Sequence, residues 1–377
     1  QNADNQLALA HREADAPLAQ LLGSDSLETQ EWAQLALLHL ALHADNRAMV
    51  IARLVACVAG RSTSAQLRAA EALAQLCDTS SSRHTIVRCG AIEPLVRLLG
   101  TGQRADLNTP PERAAAVLAE LARLQESKTE IGQAGGLPPL VNMISSSCKD
   151  SQVHASCALW HLSMIADHKP IIIRLSGIPK LVQLLKEGTH RAQRYAAGTL
   201  WQLATSADAK SLIAQAGSIP ALVGVLKKAE PKRVPMPALA LAGAATGGAT
   251  GDAADDATGA AADDATGAVA DAAVDDSAAG SSEADGKSGD EDASSAHEPA
   301  TAILSELCRT QSANRVAIVK AGGLEAICRL VVESARSPTL HHATSILWGL
   351  SQEAAYRSRI AEDPRVIERL LELMTND

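Results

Sequence analysis

The chain has 377 residues, 46% of them hydrophobic, yet it contains no Phe, two Tyr and four Trp, so its core must be filled by aliphatic side chains. Seven Cys (57, 77, 89, 148, 157, 308 and 328) lie scattered in odd number without a C-x-x-C pair, which argues against a disulfide framework or a zinc ribbon. The formal charge of −9 belongs to one stretch: residues 244–297 hold eleven Asp, two Glu and one Lys, a net −12 that leaves +3 for the rest.

No run approaches the roughly eighteen apolar residues of a membrane span, and residues 1–16 lack the apolar run of a signal peptide. A reducing compartment is expected, the cytoplasm first and the nucleus as alternative. The opening Gln points to a fragment of a longer protein. Residues 1–16 read as a flank, at most a frayed helix.

From residue 17 a phrase recurs in which small residues precede an apolar anchor, often a Pro, and then Leu-Val. Its clear copies begin at Gly90, Gly135, Ser176, Gly217 and Gly322, with degenerate ones at Leu18, Ile51 and Ile367. The anchors Ile51, Ile92, Leu137, Ile178, Ile219, Leu324 and Ile367 are separated by 41, 45, 41, 41, 105 and 43 residues, and five of these six intervals suit a helical solenoid. An Ala-rich phrase precedes the anchors, its first Leu falling at Leu73, Leu118, Leu159, Leu200, Leu304 and Leu347. The distance from that Leu to the next anchor is 19 or 20 in all six cases. In the first unit, Leu37 to Ile51 is only 14.

Each unit therefore reads as two helices. One is Ala-rich, where small side chains permit close approach, and one is Leu-Val-rich, entered after Gly with Pro in its first turn. Neither buries its apolar stripe alone, so neighbouring units must stack. The 105-residue interval hides one ordinary repeat plus about 63 inserted residues, from about Pro235 to Ala296. Near-copies of Asp-Asp-Ala-Thr-Gly-Ala occupy 255–260 and 263–268. Almost without large apolar side chains, the insertion is expected to be disordered, and it lacks the spaced oxygens of a calcium loop. Its charge suggests competition for basic positions such as Lys227, Lys228, Lys232 and Arg233, or for the groove beyond them.

These phrases resemble the armadillo repeat, Gly-Gly-Ile-Pro-x-Leu-Val-x-Leu-Leu followed by Ala-Ala-x-Ala-Leu-x-x-Leu-Ala, across residues 17–228 and 298–377. The resemblance implies an all-α, right-handed α-solenoid of about seven repeats with one long acidic insertion. The divisions are a flank at 1–16, repeats at 17–234, the insertion at 235–297 and repeats at 298–377. It further implies a concave groove lined by the Ala-rich helices, which in the best-known cases carry Trp two residues before the first Leu and a peptide-clamping Asn two after it. Here the Asn position holds His39, Gln75, Glu120, His161, Gln202, Glu306 and Gly349, and the Trp position holds Leu35, Glu71, Ala116, Cys157, Gly198, Ala302 and Ser345. The ladder is missing, which disfavours a nuclear-import adaptor of the importin-alpha type.

Trp160, Trp201 and Trp348 instead follow the first Leu. They serve two readings: an aromatic strip on the groove together with His161, Gln202 and Arg194, or fillers between successive Ala-rich helices. Arg194, seven residues before Trp201, shares a helix face with it. His39 and His43 stand four apart but find no third metal ligand, and Ser163 with Asp167 and His168 lacks an oxyanion hole. The expectation is a non-catalytic scaffold binding an extended or helical segment of another protein, with no cofactor, metal or small-molecule substrate. Nucleic-acid binding is disfavoured by the +3 of the repeats, and membership of a larger ubiquitin-ligase-type protein is a further alternative.

Overall fold

A computed structural model describes residues 14–100, 109–228, 296–334 and 338–375. The expected disordered insertion lies outside the described residues except for Ala296 and His297, and His297 already opens a helix. Among the described residues there are twenty-one helices and no strand.

The repeat has three helices, which corrects the two-helix reading. An Ala-rich helix is followed by a short polar helix and then by the Leu-Val helix. After α1 (Asp15–Leu21), α2 (Leu27–Ala41) and α3 (Ala44–Ala59), the triplets are α4 (Thr63–Leu76), α5 (Ser80–Arg88) and α6 (Ile92–Leu99), then α7 (Pro110–Leu121), α8 (Gln125–Gln133) and α9 (Leu137–Met143). Next come α10 (Lys149–Leu162), α11 (His168–Arg174) and α12 (Gly177–Glu187), followed by α13 (His190–Leu203), α14 (Ala207–Gln215) and α15 (Ser218–Lys228). Beyond the insertion are α16 (His297–Thr310), α17 (Ser312–Lys320) and α18 (Gly323–Glu333), then α19 (Pro338–Ser351), α20 (Ala354–Ala361) and α21 (Pro364–Thr375).

The short helices were hidden because each buries little. In α5 only Ser82, Thr85 and Ile86 are buried, too few positions to write a 3.6-residue period. One Ile per unit does recur six residues before the anchor: Ile86, Ile131, Ile172, Ile213 and Ile318 are all fully buried. The five residues missing from the first unit have a structural reason. There α3 runs unbroken for 16 residues, replacing the short helix, the turn and the Leu-Val helix.

Local chemistry sets the helix starts. Ser62, Thr79, Thr189 and Ser206 each accept a hydrogen bond from the backbone N–H three residues on, satisfying an otherwise orphaned donor. Between the short helix and the Leu-Val helix the chain reverses through a left-handed residue, Gly90 at φ 72° and Ser176 at φ 57° among them.

The first Leu of each Ala-rich helix is buried, fully at Leu37, Leu73, Leu118, Leu159, Leu200 and Leu304 and nearly so at Leu347. Small neighbours such as Ala69, Ala115, Ala155, Ala196 and Ala300 are fully buried beside them. The Ala-rich helices α2, α4, α7, α10, α13, α16 and α19 thereby pack as one unbroken row, each against the next. The row crosses the insertion: α16 packs on α13, the Lys210 Nζ meets Glu306 Oε2 at 2.6 Å, and Lys227 Nζ donates to the Ala321 carbonyl at 2.7 Å. Of the anchors, Ile51 through Leu324 are buried while Ile367, in the last helix, is exposed.

Candidate functional site

One face of the Ala-rich row carries, on every helix, the residues five and two before the first Leu and one and two after it, since these positions share a helical stripe. The character of that stripe changes along the chain. On α2 it exposes Trp32 and Leu35. On α4 and α7 it becomes an ionic lattice. Arg68 donates to Gln30, Gln34, Glu31 and Glu71 at 3.2–3.5 Å, and Arg113 approaches Glu71 at 3.7 Å. Glu120 is held by Arg83 at 3.1 Å and Arg123 at 3.6 Å.

From α10 onward the face turns aromatic. The Trp160 ring lies 5.1 Å from His161 and 5.6 Å from Tyr195 between centroids, and the Arg194 guanidinium sits 5.8 Å from both the Trp160 and the Tyr195 ring. Trp160 is half-buried across Gly198 of the next helix: a Cβ added to Gly198 would come within 2.7 Å of Trp160 Nε1. Behind this layer the Cys157 thiol and the Tyr195 hydroxyl act on each other, and burial pushes both up to about 12. Burial, reinforced by Lys128, Arg123 and Arg194, holds His161 down at about 4, so its imidazole is neutral at pH 7. Burial also lowers His154 to about 4 against the opposing pull of Asp150, with Arg191 and Arg113 adding to the lowering.

Trp201 stands differently although it occupies the same register as Trp160. It is 37% exposed, and its ring meets His342 edge-on at 6.2 Å between centroids. His342 belongs to α19, two helices along the row, so side chains converge across α16. Trp348, on the last helix of the row, is 64% exposed.

The residues singled out from sequence thus fall into two groups. Trp160, His161 and Arg194 form one cluster, while Trp201 joins His342. The expected pairing of Arg194 with Trp201 is replaced by stacking on Trp160 of the neighbouring helix, because Arg194 lies two helical turns before Trp201 and reaches sideways. Gln202 keeps the position after Trp201 and is half-buried. Tyr195 and His154 were not picked out. Their signal was positional, since five or two residues before the first Leu is the same stripe.

One other constellation resolves into structural roles. His168 Nδ1 donates to the Leu162 carbonyl at 2.9 Å, as Asn314 does to Leu307 in a later repeat, and Ser163 Oγ donates to the Trp160 carbonyl. These are helix-end caps. Among the described residues no three His, Cys, Asp or Glu side chains could hold a metal together, His39 and His43 included.

The row of Ala-rich helices backed by short and Leu-Val helices defines an α-solenoid of three-helix repeats. Residues 125–164 and 166–205 match the Armadillo/beta-catenin-like repeat. No curated protein matches the sequence. Among solved structures, an engineered protein from the Northeast Structural Genomics Consortium superposes with a TM-score of 0.60 at 22% identity, over 92% of this chain and 71% of that one. A designed armadillo repeat protein gives 0.54 at 16% identity, over 80% of this chain and 99% of that one. A computationally designed armadillo repeat protein for modular peptide recognition gives 0.53 at 16%, over 79% and 99%. Two armadillo/beta-catenin-like repeats thus sit at residues 125–164 and 166–205, in a chain that shares its fold with designed armadillo repeat proteins.

Proposed function

We propose that the face formed by α10, α13, α16 and α19 binds an extended segment of another protein, and that the chain is a non-catalytic scaffold. The observation that carries this reading is Trp201, a large aromatic side chain 37% exposed on the stripe where helices converge. An exposed Trp held by a rigid helix gives a partner buried area at little entropic cost. Beside it, His161 and Gln202 occupy the position at which the armadillo resemblance places a backbone-clamping Asn. A neutral imidazole and a carboxamide each offer a donor and an acceptor, as the Asn amide does. The similarity to proteins designed for modular peptide recognition supports the same reading.

All seven Cys are free, in keeping with work in the cytoplasm or nucleus. Among the described residues no single helix is long and apolar enough to cross a membrane. The test is cross-linked affinity capture with the full chain and with a Trp201→Ala, Gln202→Ala variant. Loss of the captured partners with unchanged helicity is the expected result. Retention of every partner would move the binding surface elsewhere.

A further inference from the structure

Resting on the groove reading above, we infer that the bound segment is acidic, and that one of its carboxylates is received by Arg194. The cations of this face differ in how they are occupied. Arg68 is tied to two carboxylates and two carboxamides, and Arg113 approaches Glu71. Glu120 is taken by Arg83 and Arg123, and Glu306 by Lys210 and Arg309. Arg194 alone in this set is held by ring faces, with its guanidinium carbon 5.8 Å from the Trp160 and Tyr195 centroids and no ion pair among the described residues. A guanidinium held by ring faces keeps its N–H donors available, and such a fork can receive a carboxylate in bidentate fashion.

The cations acting on His161, beside Trp160, are Lys128, Arg123 and Arg194, of which Arg123 is paired with Glu120. An anionic side chain entering here meets Arg194 against a half-dry aromatic wall, where a charged hydrogen bond is worth more than in open water. A basic segment would face repulsion from Arg194.

The experiment is selection of a displayed library of random peptides of about twelve residues on the full chain. Affinities of synthetic versions of the recovered peptides are then measured by fluorescence anisotropy. Recovered peptides are expected to be enriched in Asp or Glu, and changing the key Glu to Gln should weaken binding about tenfold. Arg194→Gln should abolish that tenfold difference, and Arg194→Glu should turn the preference toward Lys. Helicity of each variant serves as the folding control. Peptides bound without charge preference, or a Glu-to-Gln difference that survives Arg194→Gln, would overturn the inference while leaving the groove reading intact if Trp201→Ala weakens them all. Failure to recover any binder would sink both. A single-stranded RNA of about twelve nucleotides that displaces the peptides and needs Arg194 more than they do would replace the carboxylate by a phosphate chain and overturn the inference as well.

Discussion

Whether Trp160 is a fixed packing element can be decided by one methyl group on the neighbouring helix. Gly198 is buried in the interior of α13, where replacing Gly by Ala ordinarily stabilises a helix by about 1 kcal/mol. Here the added Cβ would meet Trp160 Nε1 at 2.7 Å, Cδ1 at 2.9 Å and Cε2 at 3.1 Å. The indole is rigid and is flanked by His161, Tyr195 and Arg194, so relief requires moving the whole ring. Overpacking of this kind costs about 1–3 kcal/mol. The net for Gly198→Ala is then a destabilisation of about 1 kcal/mol, the clash outweighing the propensity gain.

With Trp160→Ala in place the clash disappears, and the same Gly198→Ala change should stabilise by about 1 kcal/mol, a coupling of about 2 kcal/mol in the double-mutant cycle. Stacked repeats can unfold in steps, so a global midpoint is a poor reporter. Amide exchange of α10 and α13, followed by mass spectrometry, reads the stability of this helix pair directly. Equal stabilisation by Gly198→Ala in both backgrounds would refute the reasoning. Trp160 would then swing freely, and it would belong with Trp201 as a groove residue.

Ser176 adopts φ 57° where four sister turns carry Gly at positive φ, so Ser176→Gly should raise stability by about 0.5–1 kcal/mol, read as a rise in thermal midpoint; no change would deny the strain. His154 and His161 sit at about 4 in the folded chain against about 6.5 unfolded, so the unfolded state takes up protons first as pH falls. Their contribution is intact above about pH 6.5, is lost progressively down to about pH 4, and changes no further below it. Thermal midpoints between pH 7.5 and 4 should show this decline, flattened in a His154→Gln, His161→Gln variant; identical slopes would contradict it. Glu306→Gln breaks the 2.6 Å contact with Lys210, but both groups are partly exposed, and the loss should stay below about 1 kcal/mol by urea midpoint.

The fold was legible because its signals are periodic and redundant. Leu73 and its equivalents recur at a nearly fixed distance from anchors that are buried in every repeat but the last, as stacking demands. The short helices escaped because one Ile apiece, such as Ile86 or Ile213, carries no period within a helix. It carries one only across repeats. The candidate site was legible in register but not in contact. Counting placed Trp160 and Trp201 at one equivalent position, and no count along a single helix reveals which neighbour a side chain leans on.

What separates those two Trp is the residue each meets on the next helix. Trp160 faces Gly198, and the space of the missing Cβ is occupied by its ring. Trp201 precedes α16, whose residue at the Gly198 position is the fully buried Ala302. A Cβ at Gly198 would stand 2.7 Å from the Trp160 ring, so the pose of Trp160 is closed to Trp201 by one methyl group. The Trp201 ring stands out instead and meets His342. Ala302→Gly should then let Trp201 settle onto α16, lowering the quenching of its fluorescence by acrylamide relative to an Ala302→Gly, Trp201→Phe control. The change sacrifices about 1 kcal/mol of helix propensity. The same variant should bind groove peptides more weakly although every groove residue is still present. Unaltered quenching would mean that something other than the neighbouring Cβ holds Trp201 outward. Unaltered binding despite altered quenching would mean that Trp201 is not the surface the partner uses.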